Sequence, residues 1–525
     1  MDLEINRLMA MGFGVPTDYN KMTAEEKQSI IHAFMFMTEK KLGSGAFDKW
    51  KARLVAGGNE LKDVIKADTY SPTANYSSVM TTIALAASEK KEARSYDVKT
   101  AYLIPDIEPG EKPIFIRIDK LVAARPVDLH PEWRLFLCGD GSLVVRLKKY
   151  LYGLPTAGKH WYDHLSKTLL KMGFQRFRGD RCVFRRGTGV DRVRLVVWVD
   201  DILSVGETAA LNKFERELKA VYDVSGHKGD RVSYLGLDIV RQEDRGYVVS
   251  SPGTRNDIML KYGHLIKGER GPVTPMTDAG LRDVGTGTPL GPVDRGQYVS
   301  LCMSLMFLAR MTRADLLLSV TVCSTRSSNP TKGDMENLKR VLAYLAHVPN
   351  YGIRYEGGKK MVFRSYVDSS HALHKDGRGH GGIFLTLGSG YVFAKSAKLK
   401  TTTLSSTESE NNMMCECATY ILWMRELLTF YGYKMTAPTR MYQDNLSAIW
   451  LSSRDGKFSR NKHTLVKRLF FRKHVGADEI FPLNMDTKQM PADMETKPVC
   501  RKLMTRHTTM VGMVRIKGPV ATTNG

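Results

Sequence analysis

Three aspartates in the first half of the 525-residue chain stand where strands are predicted to end: Asp97, Asp200 and Asp201. Carboxylate oxygens are the ligands that Mg²⁺ prefers in proteins. Two such ions about 3.5 to 4 Å apart can bridge the attacking and leaving oxygens of a nucleotide transfer. These residue types in this arrangement therefore indicate metal-assisted phosphoryl transfer.

The adjacent pair Asp200 and Asp201 also has a simpler interpretation, because Asp is a favoured turn residue. The surrounding sequence LVVWVDDILSVG is apolar on both sides, which favours a hairpin whose turn carries two carboxylates against a core. Two carboxylates this close repel each other unless a cation lies between them.

Composition and charge restrict the class of protein. Hydrophobic residues make up 42% and charged residues 25%, which is typical of a globular protein and excludes a disordered chain. At roughly 150 residues per domain, the length suggests three or four folding units. Lys and Arg number 78 against 55 Asp and Glu, a net charge of +23, which predicts a polyanionic partner such as nucleic acid.

The seven cysteines favour a reduced, intracellular protein without a structural zinc site, because no CxxC pair recurs with a second CxxC or HxxxH. The N-terminus, MDLEINRLMAMGFG, has acidic residues and lacks the apolar centre of a signal peptide. No run approaches the ~18 apolar residues that a membrane span requires, so no part of the chain is expected to enter a membrane.

The first 45 residues or so are predicted to form a helix with a turn. Their apolar residues recur at helical spacing before a glycine break at positions 43 and 45, namely Ile30, Ile31, Phe34 and Met35. This segment carries no chemical signal.

The elements that follow would position the three aspartates. A helix for which Ser77 is the predicted start signal leads to a strand that ends near Asp97. Residues 104–143 are Pro-rich and predicted to be irregular, and the run VVRLKKYLYGL then precedes an amphipathic helix that includes Trp161 and Met172.

The second half begins after residues 267–297, whose seven glycines and four prolines predict an exposed linker and a domain boundary. Three helical stretches follow, SLCMSLMFLARM, ADLLLSVTVCSTRS and ENLKRVLAYLAHV. Residues 361 to about 500 then form a second mixed region, with the strands VFRSYVDSS and GGIFLTL and a long helix through Met413 and Leu428. The basic tail after Cys500 is predicted to be loose.

Taken together in order, the motifs resemble a known family. WKARLVAGG, SYDVKTAYL, RLKKYLYGL, WYDHL, WVDDIL and YLGLDI occur as in the copia-type LTR retrotransposon reverse transcriptase. YVDSS, LSSTESE, QDNLSAIW, RNKH and ADMETKP resemble its RNase H domain. The resemblance covers about residues 48–505, and ten or more motifs in order are far more specific than any one of them.

The fold that this resemblance implies is an α+β multidomain protein. A right hand of reverse transcriptase fingers, palm and thumb would precede a helical connection and an α/β RNase H-like domain. The implied divisions are residues 1–47 (an N-terminal helical segment), 48–252 (fingers and palm), 253–360 (linker and helical thumb or connection), 361–505 (RNase H-like) and 506–525 (basic tail).

The resemblance makes Asp97, Asp200 and Asp201 the catalytic, metal-binding triad of the palm. It also makes Lys51 and Arg53 candidates to bind the phosphates of the incoming nucleotide.

Further positions correspond to nucleotide and primer contacts. Tyr102 matches the aromatic residue that excludes a ribose 2′-OH, with an ordinary core tyrosine as the alternative. Trp198 stands where the family usually has Tyr, and either ring could stack near the primer end. The YLGL residues Tyr234, Leu235 and Gly236 match the primer-gripping hairpin, although an apolar hairpin needs no function to exist.

In the second half the resemblance selects four carboxylates of a two-metal ribonuclease H: Asp368, Glu408, Asp444 and Asp493. Glu408 also completes a capping box with Ser405, and Glu410 is a substitute for it. Asp444 follows the strand TRMYQ, a position where Asp is common in any turn.

Some positions depart from the family pattern. Thr156 and Gly158 stand where the family usually has Gln and Pro, which affects one nucleotide contact. SSHA takes the place of ADWA after Asp368, and Leu465 stands where the family has an Asp. None of these changes removes a proposed metal ligand.

The resemblance implies an RNA- and DNA-directed DNA polymerase with an attached ribonuclease H. Each site would use two Mg²⁺ ions, with Mn²⁺ as the alternative. The implied partners are an RNA template, a DNA primer, the RNA–DNA hybrid, deoxynucleoside triphosphates and other polyprotein products such as integrase, and no membrane. The implied location is the cytoplasm, within a virus-like particle, with the nucleus as the alternative.

A competing hypothesis is a decayed or domesticated copy that binds nucleic acid without catalysis, and the presence of all seven carboxylates argues against it. An integrase or protease finds no support, since neither an HHCC zinc cluster nor a DTG or DSG motif ahead of the polymerase stands in the sequence. The chain is therefore predicted to be the C-terminal portion of a larger polyprotein or a standalone derivative.

Overall fold

A computed structural model describes residues 1–41, 47–61, 68–266, 268, 271–348, 351–453 and 462–516. The helices are α1 (Asp2–Ala10), α2 (Ala24–Gln28), α3 (Tyr76–Ser88), α4 (Lys120–Leu129), α5 (Ala157–Lys171), α6 (Thr208–Lys219), α7 (Pro252–Tyr262), α8 (Asp278–Arg282), α9 (Pro292–Met311), α10 (Leu317–Ser324), α11 (Lys332–His347), α12 (Ser406–Phe430), α13 (Leu446–Ser453), α14 (Lys462–Gly476) and α15 (Arg501–Met510).

The strands are β1 (Gly14–Pro16), β2 (Ile31–Lys41), β3 (Phe47–Ala56), β4 (Glu92–Val98), β5 (Phe115–Ile118), β6 (Leu143–Leu147), β7 (Gln175–Arg176), β8 (Val183–Arg186), β9 (Val193–Trp198), β10 (Asp201–Gly206), β11 (Val224–His227), β12 (Arg231–Tyr234), β13 (Leu237–Arg241), β14 (Tyr247–Ser250), β15 (Tyr351–Tyr355), β16 (Phe363–Ser370), β17 (Arg378–Leu387), β18 (Gly390–Thr402), β19 (Thr439–Gln443), β20 (Ile480–Asn484) and β21 (Met513–Arg515). Within the described ranges these strands form four sheets.

The first sheet has the order β1-β6-β5-β2-β3, and β2 runs parallel to β5. The helix predicted around residues 30–35 is wrong, because β2 occupies this position. Ile31 and Ala33 are buried while His32 and Phe34 are exposed, the alternation of a half-buried strand. Pairing with β3 and β5 satisfies the backbone of β2 and overrides a short helical pattern.

The second sheet is antiparallel with the order β11-β4-β10-β9-β8-β7, and it is named the palm sheet after the part that the resemblance implies for it. The predicted helix and strand that lead to Asp97 are confirmed as α3 and β4. The side chain of Asn75 caps α3 by accepting from the backbone N–H of Ser77. The predicted hairpin is confirmed as β9 and β10.

Residues 104–143 were expected to be irregular, and this is wrong in part, because β5 and α4 lie there. The segment at 271–297 is not an exposed linker. Thr274 and Met276 are buried, and the backbone N–H of Gly285 donates to the carboxylate of Asp334 on α11 at 2.8 Å. The three helical stretches that follow are confirmed as α9, α10 and α11.

The third sheet, with the order β12-β13-β14-β15-β21, joins segments distant in the sequence. Its last strand comes from the tail that was predicted to be loose. This prediction is wrong up to Ile516, since α15 is followed by β21, which pairs with β15. The remainder of the tail lies outside the described residues.

The fourth sheet has the order β18-β17-β16-β19-β20, with β16, β19 and β20 mutually parallel. Helix α12 packs on this sheet, and its apolar residues share a core with those of α3 and the palm sheet. The hydroxyls of Thr82 on α3 and Tyr431 after α12 are 2.8 Å apart in this interface. The palm and the fourth sheet are therefore in direct contact.

The predicted divisions after residues 47 and 505 fall inside β3 and α15, and residues 1–47 include strands as well as helices. Among the described residues, no helix combines the length and the apolar character needed to cross a bilayer.

Candidate active sites

The first group of carboxylates lies at one end of the palm sheet. Asp201 is the first residue of β10 and pairs in register with Asp97 on β4 and with Trp198 on β9. Asp200 lies in the two-residue turn between β9 and β10. The turn and the two strands thus bring all three predicted palm aspartates to the same end of the sheet.

The turn itself contains a strained residue. Val199 has a φ of +53°, which is rare for a β-branched side chain. Two contacts hold this conformation: Trp161 Nε1 donates to the Val199 carbonyl at 2.7 Å, and the Val98 N–H donates to the Asp200 carbonyl at 2.9 Å. Backbone strain of this kind concentrates at functional sites.

Electrostatic repulsion is built into this group. Burial raises the pKa of Asp201 to about 6, and the charges of Asp200 and Asp97 add to the rise. Burial also raises the pKa of Asp200, with Asp97 adding to the effect and Arg53 and Lys51 opposing it. The two basic residues of β3 therefore act electrostatically on the turn aspartate.

A row of aromatic rings leads from Arg53 toward the aspartates. The Arg53 guanidinium lies 4.9 Å from the ring centroid of Tyr152, and that ring meets Tyr102 edge to face at 5.0 Å. Burial raises the pKa of Tyr102, and the negative charge of Asp200 adds to the rise. Tyr102 is thus half-buried and within electrostatic range of Asp200. Tyr152, within RLKKYLYGL, was not singled out from the sequence.

The predicted primer-gripping residues form the β12–β13 hairpin. Leu235 and Gly236 occupy its turn with φ values of +51° and +75°, and Tyr234 donates its hydroxyl to the Val196 carbonyl at 3.0 Å. Burial raises the pKa of Tyr234, and Asp201 is the next largest cause. The hairpin is thereby joined to β9 next to the triad, and Trp198 is half-buried at the end of that strand.

Two departures from the family pattern lie at the start of α5. Thr156 is the N-cap residue and makes no side-chain capping bond. A Cβ atom at Gly158 would lie 3.2 Å from Cβ of Ser71, so any larger residue would crowd that neighbour.

A second carboxylate group lies at the fourth sheet. Asp368 on β16 and Asp444 after β19 lie at the same edge, because these parallel strands pair in register. Glu410 on α12 completes the group, and oxygen atoms of the three side chains lie within 4.8 Å of one another. Among the His, Cys, Asp and Glu side chains of the described residues, these three form the group whose ligand atoms lie close enough together to hold one metal ion. The palm aspartates are less tightly grouped.

Gln443 fixes two members of this second group. Its Nε2 donates to Glu410 at 2.8 Å, and its Oε1 accepts from the backbone N–H of Asp444 at 2.7 Å. Burial, followed by repulsion from Asp368, raises the pKa of both carboxyls, and that of Glu410 is well above its ordinary value. Gln443 lies within the motif QDNLSAIW but was not singled out from the sequence.

Glu408 lies outside this group. Its carboxylate accepts from the backbone N–H of Leu404 at 2.9 Å, and its own N–H donates to Ser405 Oγ at 3.2 Å. These are contacts that close the start of α12, the alternative role that the sequence left open. Glu410, two residues further on, provides the third carboxylate of the group.

Asp493 approaches Asp368 from a 3₁₀ helix at Pro491–Glu495. Burial raises the pKa of Asp493 to about 8, and repulsion from Asp368 adds to the rise. Lys497 lies at 3.0 Å from Asp493 Oδ1 and at 3.9 Å from Asp368 Oδ2, and Thr496 donates its hydroxyl to Asp368. Burial lowers the pKa of Lys497, but attraction to the two aspartates outweighs this and raises it.

The donors of this second group fit a divalent metal ion. Asp368 and Glu410 are buried, and carboxylates this close favour a bound cation because it would remove their mutual repulsion. The ligand set is all oxygen, which suits Mg²⁺ or Mn²⁺. Most of the motif RNKH lies outside the described residues, and so does the side chain of Leu465.

Comparison with known proteins agrees with the motifs. Residues 22–277 match the family "Reverse transcriptase (RNA-dependent DNA polymerase)". The chain is 29% identical over 502 residues to the Pol polyprotein of transposon RE1 from Arabidopsis thaliana, covering 93% of this chain and 32% of that protein. The resemblance to copia-type retrotransposon polyproteins is confirmed.

Two further copia-type relatives match the chain over similar lengths. The Pol polyprotein of transposon TNT 1-94 from Nicotiana tabacum is 29% identical over 483 residues, covering 90% of this chain and 35% of that protein. The transposon Ty1-ER2 Gag-Pol polyprotein from Saccharomyces cerevisiae is 24% identical over 530 residues, covering 94% and 28%. The chain thus spans about a third of the length of these relatives.

Among solved structures, the chain is similar to the native crystal structure of Prototype Foamy Virus Protease-Reverse Transcriptase. The identity is 14%, the TM-score is 0.26, and the match covers 92% of this chain and 52% of that one.

Proposed function

We propose that the chain is an RNA- and DNA-directed DNA polymerase with an attached ribonuclease H. One observation carries the polymerase assignment: Asp97, Asp200 and Asp201 lie together at one end of the palm sheet, within the segment that matches the reverse transcriptase family. Their burial and mutual repulsion suit a site for divalent cations.

In the polymerase site, bound Mg²⁺ ions would activate the primer 3′-oxygen and neutralise the triphosphate. Asp97, Asp200 and Asp201 would hold these ions. Lys51 and Arg53 would bind the phosphates of the incoming nucleotide. Tyr102 would crowd a ribose 2′-OH, since its half-buried ring lies within electrostatic range of Asp200.

In the ribonuclease site, Asp368, Glu410 and Asp444 would hold one divalent cation, and Asp493 would join Asp368 in holding another. Glu410 takes the part that the resemblance had given to Glu408, because the Glu408 carboxylate caps α12. The same two-metal chemistry would then cut the RNA strand.

The net charge of +23 supports binding of the hybrid. Proteins recognise A-form duplexes through phosphates and 2′-OH groups, because the deep major groove is hard to read. The proposed partners are therefore an RNA template, a DNA primer and the hybrid, bound largely without base recognition. The proposed division is fingers and palm up to residue 252, a helical thumb or connection over 253–360, and a ribonuclease unit that begins at residue 361 and includes all of α15.

A pair of assays with matched variants tests the proposal. The wild-type chain should extend a DNA primer on RNA and on DNA templates and should cut the RNA of a preformed hybrid, each reaction requiring Mg²⁺. Asp201→Asn should lose only the first activity, and Asp444→Asn only the second. A chain that binds hybrid tightly but lacks both activities would instead be a non-catalytic nucleic-acid-binding copy.

A further inference from the structure

Lys497 lies between two acidic groups of the proposed ribonuclease site. Its ammonium is 3.0 Å from Asp493 Oδ1 and 3.9 Å from Asp368 Oδ2. Both aspartate side chains are only 4% exposed, whereas that of Lys497 is 40% exposed. A basic side chain that reaches from solvent to two buried carboxylates takes the place of a cation there.

The other half of the same centre lacks such a cation. Glu410 and Asp444 are held by Gln443 and Thr487 through hydrogen bonds, and in the described part of the chain neither forms an ion pair. Asp368 belongs to both halves. The centre therefore has two parts. Among the described residues, Glu410 and Asp444 form no ion pair with an ammonium ion, whereas Asp368 and Asp493 already pair with that of Lys497.

We propose that Lys497 occupies the position of the second divalent cation in the metal-free protein, so that cations enter this centre in two unequal steps. This inference rests on the proposed ribonuclease function. The first cation binds at Asp368, Glu410 and Asp444. The second binds at Asp368 and Asp493 only after the Lys497 side chain moves into solvent.

The side chain can make this movement without disrupting the fold. A lysine has a flexible four-carbon stem and a strongly hydrated ammonium, and this one is already partly exposed. Its departure leaves the buried hydroxyl of Thr496 bonded to Asp368, so that one ligand stays oriented. Lys497 is accordingly a positioning residue that sets the affinity of the second step.

A titration of the full-length chain with Mn²⁺ alone tests this inference, with the concentration of free Mn²⁺ measured by EPR. All proteins carry Asp97→Asn and Asp201→Asn, which restricts binding to the ribonuclease centre. We expect two steps. Lys497→Met should tighten the second roughly tenfold or more, since a unit charge within about 4 Å at a partly buried site has at least that effect. The first step should tighten less than the second, since Lys497 lies 3.0 Å from Asp493 but 3.9 Å from Asp368, the one ligand that the two steps share.

The matched control is Lys502→Met, which removes one exposed positive charge from the first turn of α15. Equal tightening by Lys497→Met and Lys502→Met, or a weaker second step in Lys497→Met, would overturn the inference. If Lys497→Met does not fold, Lys497→Arg should retain the weak second step and Asp493→Asn should remove that step alone. Two steps of equal affinity in Lys497→Arg, or a second step that persists in Asp493→Asn, would also overturn the inference.

Failure of the proposed function gives a different result. If Asp368→Asn in the same background leaves Mn²⁺ binding unchanged, the centre is not a metal site and the ribonuclease assignment itself fails. If Asp368→Asn abolishes both steps while Lys497→Met changes neither, the site stands and only the role of Lys497 is wrong.

Discussion

Asp97 and Asp201 lie directly opposite each other on the neighbouring antiparallel strands β4 and β10. The pairing of the strands uses backbone groups, so the two side chains contribute charge to the site without contributing to the ladder. A substitution that preserves shape should therefore change the chemistry of this site and leave its backbone in place.

Asp201→Asn should abolish DNA synthesis while cleavage of a preformed hybrid persists, because the ribonuclease carboxylates lie on a different sheet. Primer extension and hybrid cleavage, measured on the same preparation, check this. Extension at the wild-type rate would remove Asp201 from the proposed palm site.

The same variant should stabilise the metal-free protein at neutral pH. Burial and the neighbouring carboxylates raise the pKa of Asp201 from 3.8 to about 6 in the folded chain. The stabilisation of the folded protein by the proton that Asp201 binds is therefore complete below pH 3.8 and is lost as pH rises through about 6. The shift corresponds to at most about 3 kcal/mol, and to less after solvent screening of the partly exposed group. Melting in EDTA should show a larger gain for Asp201→Asn at pH 7 than at pH 4.5, and an equal gain at both would contradict this.

Tyr102→Ala should admit ribonucleotides more readily. The ring lies against Tyr152 and within electrostatic range of Asp200, and its loss would open space for a 2′-OH. Discrimination should fall by roughly ten- to a hundredfold, the range that exclusion of one small group supplies. Single-nucleotide incorporation measures it, with Tyr102→Phe as the control that keeps the ring. Unchanged discrimination in Tyr102→Ala would make Tyr102 a core residue.

The sequence predicts the palm strands well because the signals are local. An apolar run interrupted by two aspartates can hardly be anything but a hairpin, and the helix before Asp97 carries its own periodicity. Which glutamate of STESE faces the sheet is not a local property. Glu408 and Glu410 are two residues apart on one helix, and only the docking of α12 beside Gln443 distinguishes them.

The wrong predictions have a common physical cause. Residues 30–35 and the C-terminal tail carry weak periodicity, and strand pairing decides their structure. β2 pairs with β3, the next strand along the chain, and with the distant β5, and β21 pairs with the distant β15. Pairings over such separations leave no trace in a local window.

Glu89→Gln should destabilise the junction of the palm with the fourth sheet. Glu89 accepts two hydrogen bonds from the buried guanidinium of Arg194, at 2.7 and 2.8 Å, and the hydroxyl of Tyr433 also reaches it. Removal of one partner leaves a buried charge without compensation, at a cost of roughly 3 to 5 kcal/mol. The apparent melting temperature should fall accordingly.

An exposed ion pair across the same junction provides the control. Arg178 and Glu426 are 3.3 Å apart, with 84% and 49% of their side chains exposed. Because such pairs contribute about 1 kcal/mol or less, Glu426→Gln should barely change the melting temperature. Equal effects of Glu89→Gln and Glu426→Gln would show that the buried pair does not hold the junction.

Hybrid binding should weaken steeply with salt, as the charge of +23 implies. Counterion release lowers log K by about 0.9 per phosphate neutralised on B-DNA, and the slope on a hybrid should be of that order. Fluorescence anisotropy between ~50 and ~200 mM salt measures the slope. A flat response would reject the electrostatic account of binding.

Asp444→Asn should remove RNA cleavage and spare the fold and DNA synthesis. Asn keeps the shape of the side chain but loses the charge needed to hold a divalent cation beside Asp368 and Glu410. Primer extension by the same preparation serves as the control for intact folding.

Stability distinguishes this role from that of a turn residue. Burial and the charge of Asp368 raise the pKa of Asp444, so in metal-free protein its ionised form is disfavoured and Asp444→Asn should hold or raise the melting temperature in EDTA. A purely structural Asp would instead lose its hydrogen bond from Thr487 and about 1 kcal/mol. A lowered melting temperature with hybrid cleavage intact would make Asp444 a turn residue and would refute the ribonuclease assignment.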